Sequence, residues 1–316
     1  MELTLLLQWV AVLAGALFVL VRGADLFVAG AKQVGVAFGM SSFAIGVLIV
    51  GLGTSVPELA SSLAAVMAGT TEIVIANVVG SNITNILLIV GILAALGGPI
   101  LISKNLLQTE LPIFFIATVH FLASVYDGVI DRVESVLLVG TLTAYIWYLL
   151  SSSKEVGDAE LDPADRQKVQ LKSIVFIVLG LTAVLVGAHY TVLMAVNIAT
   201  GLSVPIGLVS IAAIAIGTSL PELFVSLQAI RNNEADLAIG NIFGSNAFNI
   251  LMVVGVPGLF MPLVADVVVM DLGILILLAA SLILFVTGLA RQIQKWEGVM
   301  MLLFFAFFLV KLIEFV

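Results

Sequence analysis

The chain has 316 residues, of which 62% are hydrophobic and only 10% are charged, and its mean hydropathy is +1.26. A soluble domain is usually about half apolar and about a quarter charged, so this composition excludes a soluble globular protein and predicts an integral membrane protein. The net charge of −8 argues against a nucleic-acid partner, and the absence of cysteine excludes disulfides and thiolate metal sites.

Ten apolar stretches along the chain have the length that a membrane-spanning helix needs, about 20 residues. We predict them near residues 4–23, 42–68, 72–98, 108–126, 129–151, 170–196, 204–230, 235–259, 266–289 and 294–315. The first helix can be longer, because the chain stays mostly apolar to about Val36. Its first residues lack the basic start of a secretory signal, so we expect this helix to be retained.

The basic residues predict how these spans are oriented in the membrane. If the N-terminus is outside, the odd-numbered loops face the cytoplasm and contain most of the Lys and Arg residues. These are Lys32, Lys104, Lys154, Arg166, Lys168, Lys172, Arg231, Arg291 and Lys295. Only Arg132 and Lys311 fall on the opposite side, and Arg22 is ambiguous. We therefore expect a multi-pass protein of the cytoplasmic (inner) membrane with both termini outside.

An internal repeat is the strongest feature beyond hydropathy. Placing Gly53 on Gly217 aligns 53–91 with 217–255 without a gap, and 19 of the 39 aligned positions are identical. The two copies read GTSVPELASSLAAVMAGTTEIVIANVVGSNITNILLIVG and GTSLPELFVSLQAIRNNEADLAIGNIFGSNAFNILMVVG. Shared hydrophobicity does not explain this match, because the polar residues themselves are repeated. We call this superposition, extended at the same offset to the rest of the chain, the repeat alignment.

The repeat also predicts the topology of the chain. The first copy starts in the second predicted span and the second copy in the seventh, so the copies are five spans apart. Because five is odd, they enter the membrane from opposite sides, as in the inverted repeats of many secondary transporters. We predict two inverted halves of five helices each, 1–150 and 170–316, joined by a cytoplasmic linker at 151–169. The acidic residues of this linker lack EF-hand spacing, which favours a solvated loop over a calcium site.

Each copy places a Gly-Thr-Ser-x-Pro-Glu-Leu motif inside an apolar helix. Proline has no N–H and clashes with the carbonyl four residues earlier, so Pro57 frees the carbonyl of Gly53 and Pro221 frees that of Gly217. Inside a membrane, broken backbone is tolerated only where it is buried in protein or lines a wet cavity. We therefore predict that helices 2 and 7 are broken at these motifs, where a cation can pair with the freed carbonyls.

Polar side chains recur at helical spacing around each break. Three of them share one face of the broken helix: Thr54, Glu58 and Ser62. The next helix repeats the spacing with Asn77, Ser81 and Asn85. Because both stripes are duplicated, we expect them to converge on a cavity lined by oxygen atoms, with the carboxylates of Glu58 and Glu222 at its centre. All-oxygen ligation selects hard cations such as Na⁺, Ca²⁺, Mg²⁺ or Mn²⁺.

An ionisable residue at mid-membrane costs at least ~2.5–3.5 kcal/mol and marks a functional site by default. A single protonated glutamate can instead serve as a hydrogen-bonding residue, but two glutamates in identical inverted motifs favour function. Asparagine in a membrane helix often bonds a neighbouring helix. We favour a pocket role for Asn85 and Asn249, whereas packing stays open for the remaining asparagines of the repeats. These are Asn77, Asn82, Asn241 and Asn246.

The doubled motif resembles the α-repeats of the cation/calcium exchanger superfamily, in its prokaryotic sodium/calcium exchanger family. Two GTSxPEL segments and two [A/G]-N-x-x-G-S-N-x-x-N segments carry the resemblance. It implies ten helices, of which helices 2, 3, 7 and 8 form the ion-binding core and helices 1 and 6 slide across it. It also implies a monomeric secondary antiporter that exchanges Ca²⁺ for Na⁺ across the lipid bilayer, with no cofactor besides the transported ions.

The resemblance also implies ligands for each ion. Ca²⁺ is held by Glu58 and Glu222 with the backbone carbonyls of Thr54 and Thr218, and two asparagines line this central position: Asn85 and Asn249. One flanking Na⁺ site is implied at the Gly51 carbonyl, Ser55, Ser81 and Glu222. Its symmetry mate is implied at the Ala215 carbonyl, Ser219, Ser245 and Glu58.

Asn249 departs from the pattern of some prokaryotic exchangers, which carry aspartate at this position. The pocket of this chain therefore has two glutamates and two asparagines, and its two carboxylates balance one Ca²⁺ or two Na⁺. A third Na⁺ adds an uncompensated positive charge, so the three-for-one exchange of the family is expected to be electrogenic here. Loss of voltage dependence in proteoliposomes would contradict that stoichiometry.

Sharing of the carboxylates predicts exchange rather than leak. Ca²⁺ and Na⁺ compete for the same pair, and an empty Glu58–Glu222 pair is unfavourable through repulsion and desolvation. The empty carrier should therefore switch access between the two sides of the membrane only slowly unless it is protonated. Protons should accordingly inhibit transport at low pH.

Three alternatives remain at this point. A Ca²⁺/H⁺ antiporter, or an antiporter of another divalent cation, would use the same glutamates, and sodium dependence of calcium efflux distinguishes it. A cation channel usually places its polar ring on an oligomer axis, whereas an inverted repeat favours alternating access within one chain. An intramembrane enzyme is disfavoured because no nucleophile–base pair, HExxH or Walker motif is present.

Overall fold

A computed structural model gives the structure of this protein. It describes residues 3–97, 100–101, 104–160, 169–202 and 216–314. Eight helices in this part of the chain are long and apolar enough to cross a membrane, and Leu111–Ser124 forms a shorter apolar helix. The predicted all-helical membrane protein is thereby confirmed, although part of the predicted seventh span lies outside the described residues.

The described chain is built from α-helices that are interrupted by π-helical turns. The first half contains α1 Leu3–Ala37, α2 Ser42–Ile45, α3 Leu52–Thr54, α4 Val56–Ala68, α5 Glu72–Ile83, α6 Val90–Gly97, α7 Lys104–Ser124 and α8 Arg132–Glu160. The second half contains α9 Leu171–Gly201, α10 Leu220–Arg231, α11 Ala235–Phe248, α12 Gly255–Gly258, α13 Ile274–Leu289 and α14 Lys295–Glu314. The π-helical segments are π1 Gly46–Gly51, π2 Thr84–Ile89, π3 Asn249–Val254 and π4 Val269–Gly273.

Among the helices that extend beyond their predicted ends, α1 and α8 do so by the most residues. α1 has 35 residues, so it is roughly 52 Å long and exceeds the ~30 Å hydrocarbon core. α8 continues past residue 151 to Glu160. The helix therefore includes the first part of the predicted linker.

α1 and α9 form a closely packed pair of helices. A Cβ atom added to Gly23 would lie 2.7 Å from the backbone nitrogen of Val184, and one added to Gly187 would lie 2.7 Å from the Cβ atom of Leu20. Glycine therefore permits the backbones to touch on both sides. Higher numbers in α1 meet lower numbers in α9, so the two helices run antiparallel. The repeat alignment places Gly23 on Gly187 and Leu20 on Val184.

The second span of the first half packs against α11 in the second half. A Cβ atom at Gly240 would overlap the carbonyl oxygen of Phe43, and one at Gly51 would lie 3.0 Å from the backbone nitrogen of Ser245. These contacts bring π1 and α3 into direct contact with the other repeat. The helix break after Thr54 therefore packs against α11, which belongs to the other repeat, as well as against its own neighbours in sequence.

Short strands tie the two halves together outside the helices. β1 (Ile100–Leu101) pairs antiparallel with β4 (Gln292–Ile293), and β2 (Val129–Ile130) pairs antiparallel with β3 (Leu263–Val264). The repeat alignment places Ile100 on Val264, and Val129 on Ile293. Under the repeat alignment, β1 therefore corresponds to β3 and β2 corresponds to β4, so each strand pair is the counterpart of the other.

The centre of the molecule is formed by α5, π2, α11 and π3. Nearly all residues of α11 and π3 are buried, whereas much of α1 is exposed on the outside of the protein. Large apolar side chains such as Phe243, Phe248 and Ile86 fill this core. A band of polar residues crosses it, and this band contains the candidate site.

Candidate cation-binding site

The site is built around two breaks in membrane helices. Ser55 separates α3 from α4 with φ −84° and ψ −3°, and Ser219 precedes α10 with φ −89° and ψ 3°. Pro57 and Pro221 lie at the start of the helices that follow, where the missing N–H costs no intrahelical bond. The two serines thus have similar backbone angles. The break predicted in helix 2 is observed, whereas the part of helix 7 before residue 216 lies outside the described residues.

Glu58 and Glu222 each lie in the first turn after a break. The positive end of a helix dipole favours a negative charge at that position. The side chains are 1% and 0% exposed, and their carboxylate oxygens have no hydrogen-bond partner among the described residues. The Asn241 side chain links the two breaks, because it bonds both the Thr54 hydroxyl and the backbone carbonyl of Glu222. The structure therefore brings the predicted glutamate pair together in the interior of the protein.

Within the described residues, no basic side chain is buried beside this pair. The buried polar side chains of the described chain include hydroxyls, amides and these two carboxylates, but no Lys, Arg or His. An isolated ionised carboxylate is very costly in an apolar medium. The site therefore places two acidic groups, which need either a cation or a proton, among neutral oxygen donors, and this combination is typical of a cation-binding site. The described residues hold no cluster of three or more His, Cys, Asp or Glu side chains.

Two hydroxyl clusters flank the carboxylates. In the first, the Thr54 hydroxyl lies 3.2 Å from the Ser245 hydroxyl and donates to the Gly51 carbonyl at 3.3 Å. The Ser245 hydroxyl also lies 3.5 Å from that carbonyl. The second cluster joins the hydroxyls of Ser81 and Thr218 at 3.0 Å. In each cluster, a residue at one helix break meets a helix of the other repeat: Thr54 meets α11, and Thr218 meets α5.

This grouping differs from the one that the family resemblance implied. The Gly51 carbonyl was expected beside Ser81, but the serine that lies against it is Ser245. The reason is that π1 packs across the molecule on α11, which a pattern of residue spacing within one helix does not reveal. Thr54 also lies close to the carboxylate of Glu222, although that carboxylate makes no hydrogen bond of ordinary geometry.

The other predicted hydroxyl ligands are buried near the breaks. The Oγ atoms of Ser55 and Ser219 are buried without a partner in the described part of the chain. The same is true of Ser62, which lies one turn after Glu58. Ala215 falls outside the described residues, so the structure does not place its carbonyl.

Asn85 and Asn249 are placed by π-helical turns. Asn249 is the first residue of π3, and Asn85 is the second residue of π2. Both side chains are fully buried. A π-helical turn widens the helix by one residue, and such turns are frequent at functional sites. The structure thus places both predicted asparagines at the centre, on a local distortion that spacing alone did not predict.

Asn241 has a larger structural role than its sequence context indicated. Its Nδ2 donates to the Ser226 hydroxyl at 2.8 Å and to the Glu222 carbonyl at 3.3 Å. Its Oδ1 accepts from the Thr54 hydroxyl at 3.3 Å. The equivalent Asn77 has no partner for its Nδ2 among the described residues. Duplication of the motif therefore does not produce identical hydrogen bonds in the two halves.

Comparison with known proteins covers almost the whole chain. A family model described as "Sodium/calcium exchanger protein" matches residues 8–151 and 172–313. The sodium/calcium exchanger MaX1 of Methanosarcina acetivorans is 32% identical over 345 residues, with 96% of this chain and 98% of that protein covered. The inner membrane protein YrbG of Escherichia coli is 32% identical over 301 residues, with 93% and 92% covered.

A solved structure has the same fold. The sodium-calcium exchanger NCX_Mj, soaked with Na⁺ and Sr²⁺, matches with a TM-score of 0.80 at 30% sequence identity. The match covers 96% of this chain and 98% of that chain. The architecture described above is therefore shared along the length of both proteins.

Proposed function

This chain belongs to the sodium/calcium exchanger family, as its repeated motifs indicated, and we propose that it exchanges Ca²⁺ for Na⁺ by alternating access. Family membership makes it a multi-pass membrane exchanger of cations. The identity of the two ions, the sites that hold them and the transport cycle are the proposal. The observation that carries it is the buried pair of Glu58 and Glu222, which has no basic side chain beside it in the described structure.

The charge of this pair determines which cation loads are favourable. Two ionised carboxylates balance one Ca²⁺ or two Na⁺, and either load removes the cost of burying them unpaired. Simultaneous full occupancy by both ions would leave excess positive charge. Ca²⁺ and Na⁺ therefore bind in alternation. The three-for-one exchange of the family would add a third Na⁺ beyond the two that the carboxylates balance, and this cycle moves one net positive charge, so we propose that exchange is electrogenic.

The central site is proposed to hold Ca²⁺ between the two helix breaks. Glu58 and Glu222 supply charge, and the backbone carbonyls of Thr54 and Thr218 supply neutral oxygens. The side chains of Asn85 and Asn249 complete the lining. Hard oxygen donors of this kind suit Ca²⁺, which accepts six to eight ligands in flexible geometry.

Na⁺ is proposed to bind at the two hydroxyl clusters that flank this centre. The first contains the Gly51 carbonyl, Thr54 and Ser245, and it adjoins Glu222. The second contains Ser81 and Thr218. Ser55 and Ser219 supply further oxygens from the breaks. The pairing of each break with the opposite repeat replaces the serine assignment expected from the sequence.

The complete architecture is proposed to comprise ten helices in two inverted halves with both termini outside. Antiparallel packing of α1 with α9 supports this, because the repeat alignment places these two helices on each other. The correspondence of the two strand pairs under the same alignment supports it independently. Since both halves contribute to one site within one chain, a monomer is proposed to be the functional unit.

Movement of the α1–α9 pair is proposed to alternate access to the site. The two helices pack closely on each other through glycines, and both contact α10 beside the core. Such a pair can shift as one body while the carboxylates and their helix breaks stay in place. This is rocking of one bundle against another around a fixed site, as in other inverted-repeat transporters.

Calcium-45 uptake into proteoliposomes tests the proposed ion pair. Vesicles are loaded with Na⁺, with K⁺ or with acidic buffer at matched osmolarity, and each is diluted into calcium medium. We expect uptake only from the Na⁺-loaded vesicles, and we expect it to cease when external Na⁺ matches internal Na⁺. Uptake driven by the proton gradient alone would instead support the Ca²⁺/H⁺ antiporter.

A further inference from the structure

We propose that Asn82 is a positioning residue that holds the oxygen of the Asn249 side chain toward the transported cation. This inference rests on the proposed function of the central site. Asn82 was open to a packing role in the sequence, and its contacts in the structure assign it a more specific one. The proposed role of Asn82 is to determine which end of the Asn249 carboxamide, the oxygen or the NH₂ group, faces the ion.

The contacts of Asn82 fix its own carboxamide at both ends. Its Oδ1 accepts a hydrogen bond from Nδ2 of Asn249 at 3.3 Å, and its Nδ2 donates to the backbone carbonyl of Asn246 at 3.3 Å. All three residues are fully buried. Because Asn82 belongs to the first repeat and its partners to the second, these bonds join α5 to the end of α11.

The consequence for Asn249 is a defined orientation. Its Nδ2 is bound to Asn82, whereas its Oδ1 is buried without a partner among the described residues. A carboxamide presents either an acceptor oxygen or a donor NH₂ group, and only the oxygen can coordinate a hard cation. With Asn82 in place, the free end of Asn249 is the oxygen. Without it, rotation by half a turn would direct the NH₂ group at the cation.

The equivalent bonds are missing on the other side of the site. The repeat alignment places Asn82 on Asn246, and Asn85 on Asn249. Both polar atoms of the Asn246 side chain lack partners in the described structure, and so do both polar atoms of Asn85. Asn246 therefore offers a control of the same residue type and the same burial that does not hold an amide of the site.

Substitution by leucine, which has nearly the same shape as asparagine, tests the role of Asn82. We expect Asn82→Leu to raise the Ca²⁺ concentration for half-maximal exchange by roughly fivefold, the effect of one lost hydrogen bond. The maximal rate should stay within about twofold, and Asn246→Leu should leave the half-maximal concentration unchanged. If Asn82→Leu does not purify as a monodisperse protein, Asn82→Ala and Asn246→Ala are compared in its place.

A double-mutant cycle separates positioning from general support of the fold. In the Asn249→Ala background no amide remains to be oriented, so adding Asn82→Leu should have no further effect on the half-maximal Ca²⁺ concentration. A fivefold effect in both backgrounds, equal effects of the two leucine variants, or no effect of Asn82→Leu would each overturn the inference. If the wild-type protein itself showed no Na⁺-driven Ca²⁺ uptake in this assay, the proposed function would fail instead.

Discussion

Glu58 and Glu222 are acidic side chains that lie buried with no basic side chain buried beside them in the described part of the chain. Each side chain is at most 1% exposed, and neither has a hydrogen-bond partner in the described part of the chain. Such a group is tolerated only if a positive charge balances it or a proton neutralises it. The proposed cations meet this requirement. Because the pair is unfavourable without a cation, the protein is expected to change its access only when it is loaded, and this couples the two ions.

Removing one carboxylate should abolish transport. In Glu58→Gln or Glu222→Gln the site keeps its shape but loses half of its charge, so a divalent cation is no longer balanced. We expect Na⁺-driven calcium uptake to fall by about 100-fold, which corresponds to roughly 3 kcal/mol.

Glu72→Gln provides the matched control for these variants. Glu72 also lies in the first turn of a membrane helix, but it is exposed. We expect wild-type calcium uptake from it. Transport retained by either Glu58→Gln or Glu222→Gln would show that the carboxylate pair is not the site.

At the scale of single residues, the sequence predicted the site residues well. It predicted the contacts between those residues less well. Low charge, the proline motif and the internal repeat together identified Glu58 and Glu222. The contact between Ser245 and the Gly51 carbonyl was not predicted, because helical spacing describes one helix and not the partner across an axis. The unequal bonding of Asn77 and Asn241 was hidden for the same reason, since identical motifs can form different contacts.

Glycines allow the second span of the first half to pack closely against α11, and this packing holds the helix break at Ser55 against the second repeat. At Gly240 a Cβ atom would overlap the carbonyl oxygen of Phe43, which belongs to the backbone and cannot rotate away. The contact lies near the start of the second span, whose later residues carry the break. We infer that the approach of these two helices determines the geometry of the first hydroxyl cluster.

Replacing this glycine with alanine should therefore destabilise the protein. Alanine at Gly240 forces the helices apart, and overpacking of this kind costs about 1–3 kcal/mol. Alanine at Gly140 is the control, because a Cβ atom there meets no atom within 4 Å. Gly140→Ala should be neutral or slightly stabilising, since alanine favours a helix. Thermal unfolding in detergent measures both, and equal melting temperatures for the two variants would contradict the packing argument.

The sequence predicted the type of most elements but not their internal distortions. Apolar length predicted the spans, and proline predicted the break at Ser55. The π-helical turns at Thr84–Ile89 and Asn249–Val254 carry no proline or glycine that would signal them. They depend on packing in the core, which is a property of the assembled helices. The extension of α1 to Ala37 was indicated by continued apolarity and is now established.

Relative movement of the α1–α9 pair and the core is the central motion of the proposed cycle. Lys32 in α1 forms an ion pair with Glu234, which precedes α11, and Ser42 donates to the same carboxylate at 3.1 Å. The positions related by the repeat are Val196 and Thr70, which cannot form an ion pair. The contact therefore favours one position of α1 against the core, by the modest amount typical of a partly exposed pair.

A reversible cross-link at this contact tests the motion. The chain has no cysteine, so Lys32→Cys combined with Glu234→Cys introduces the only two thiols. Formation of the disulfide, which needs Cα atoms within about 7 Å of each other, is verified by mass spectrometry. In the cross-linked protein we expect calcium uptake to be arrested, and reduction to restore it. Arg22→Cys with Asp25→Cys is the control, because both positions lie in α1 and a bond between them does not restrain it against the core. Full transport by the oxidised Lys32/Glu234 variant would exclude sliding of α1 past the turn before α11.

At the scale of the whole molecule, the sequence predicts two halves of opposite orientation. An odd number of spans between the copies predicted opposite orientations, and the antiparallel packing of α1 on α9 agrees with that prediction. The symmetry of the side-chain contacts was less predictable. Asn82 binds Asn249, whereas the Asn85 side chain has no partner among the residues that the structure describes, so repeated motifs form unequal contacts.

Equilibrium binding of calcium-45 to the purified protein tests the central claim most directly. If one pair of carboxylates serves both ions, the protein binds one Ca²⁺ per chain, and Na⁺ displaces it competitively. Choline at the same ionic strength should not displace it. Calcium binding that persists at saturating Na⁺, or a second Ca²⁺ bound with similar affinity, would contradict a single shared site between Glu58 and Glu222.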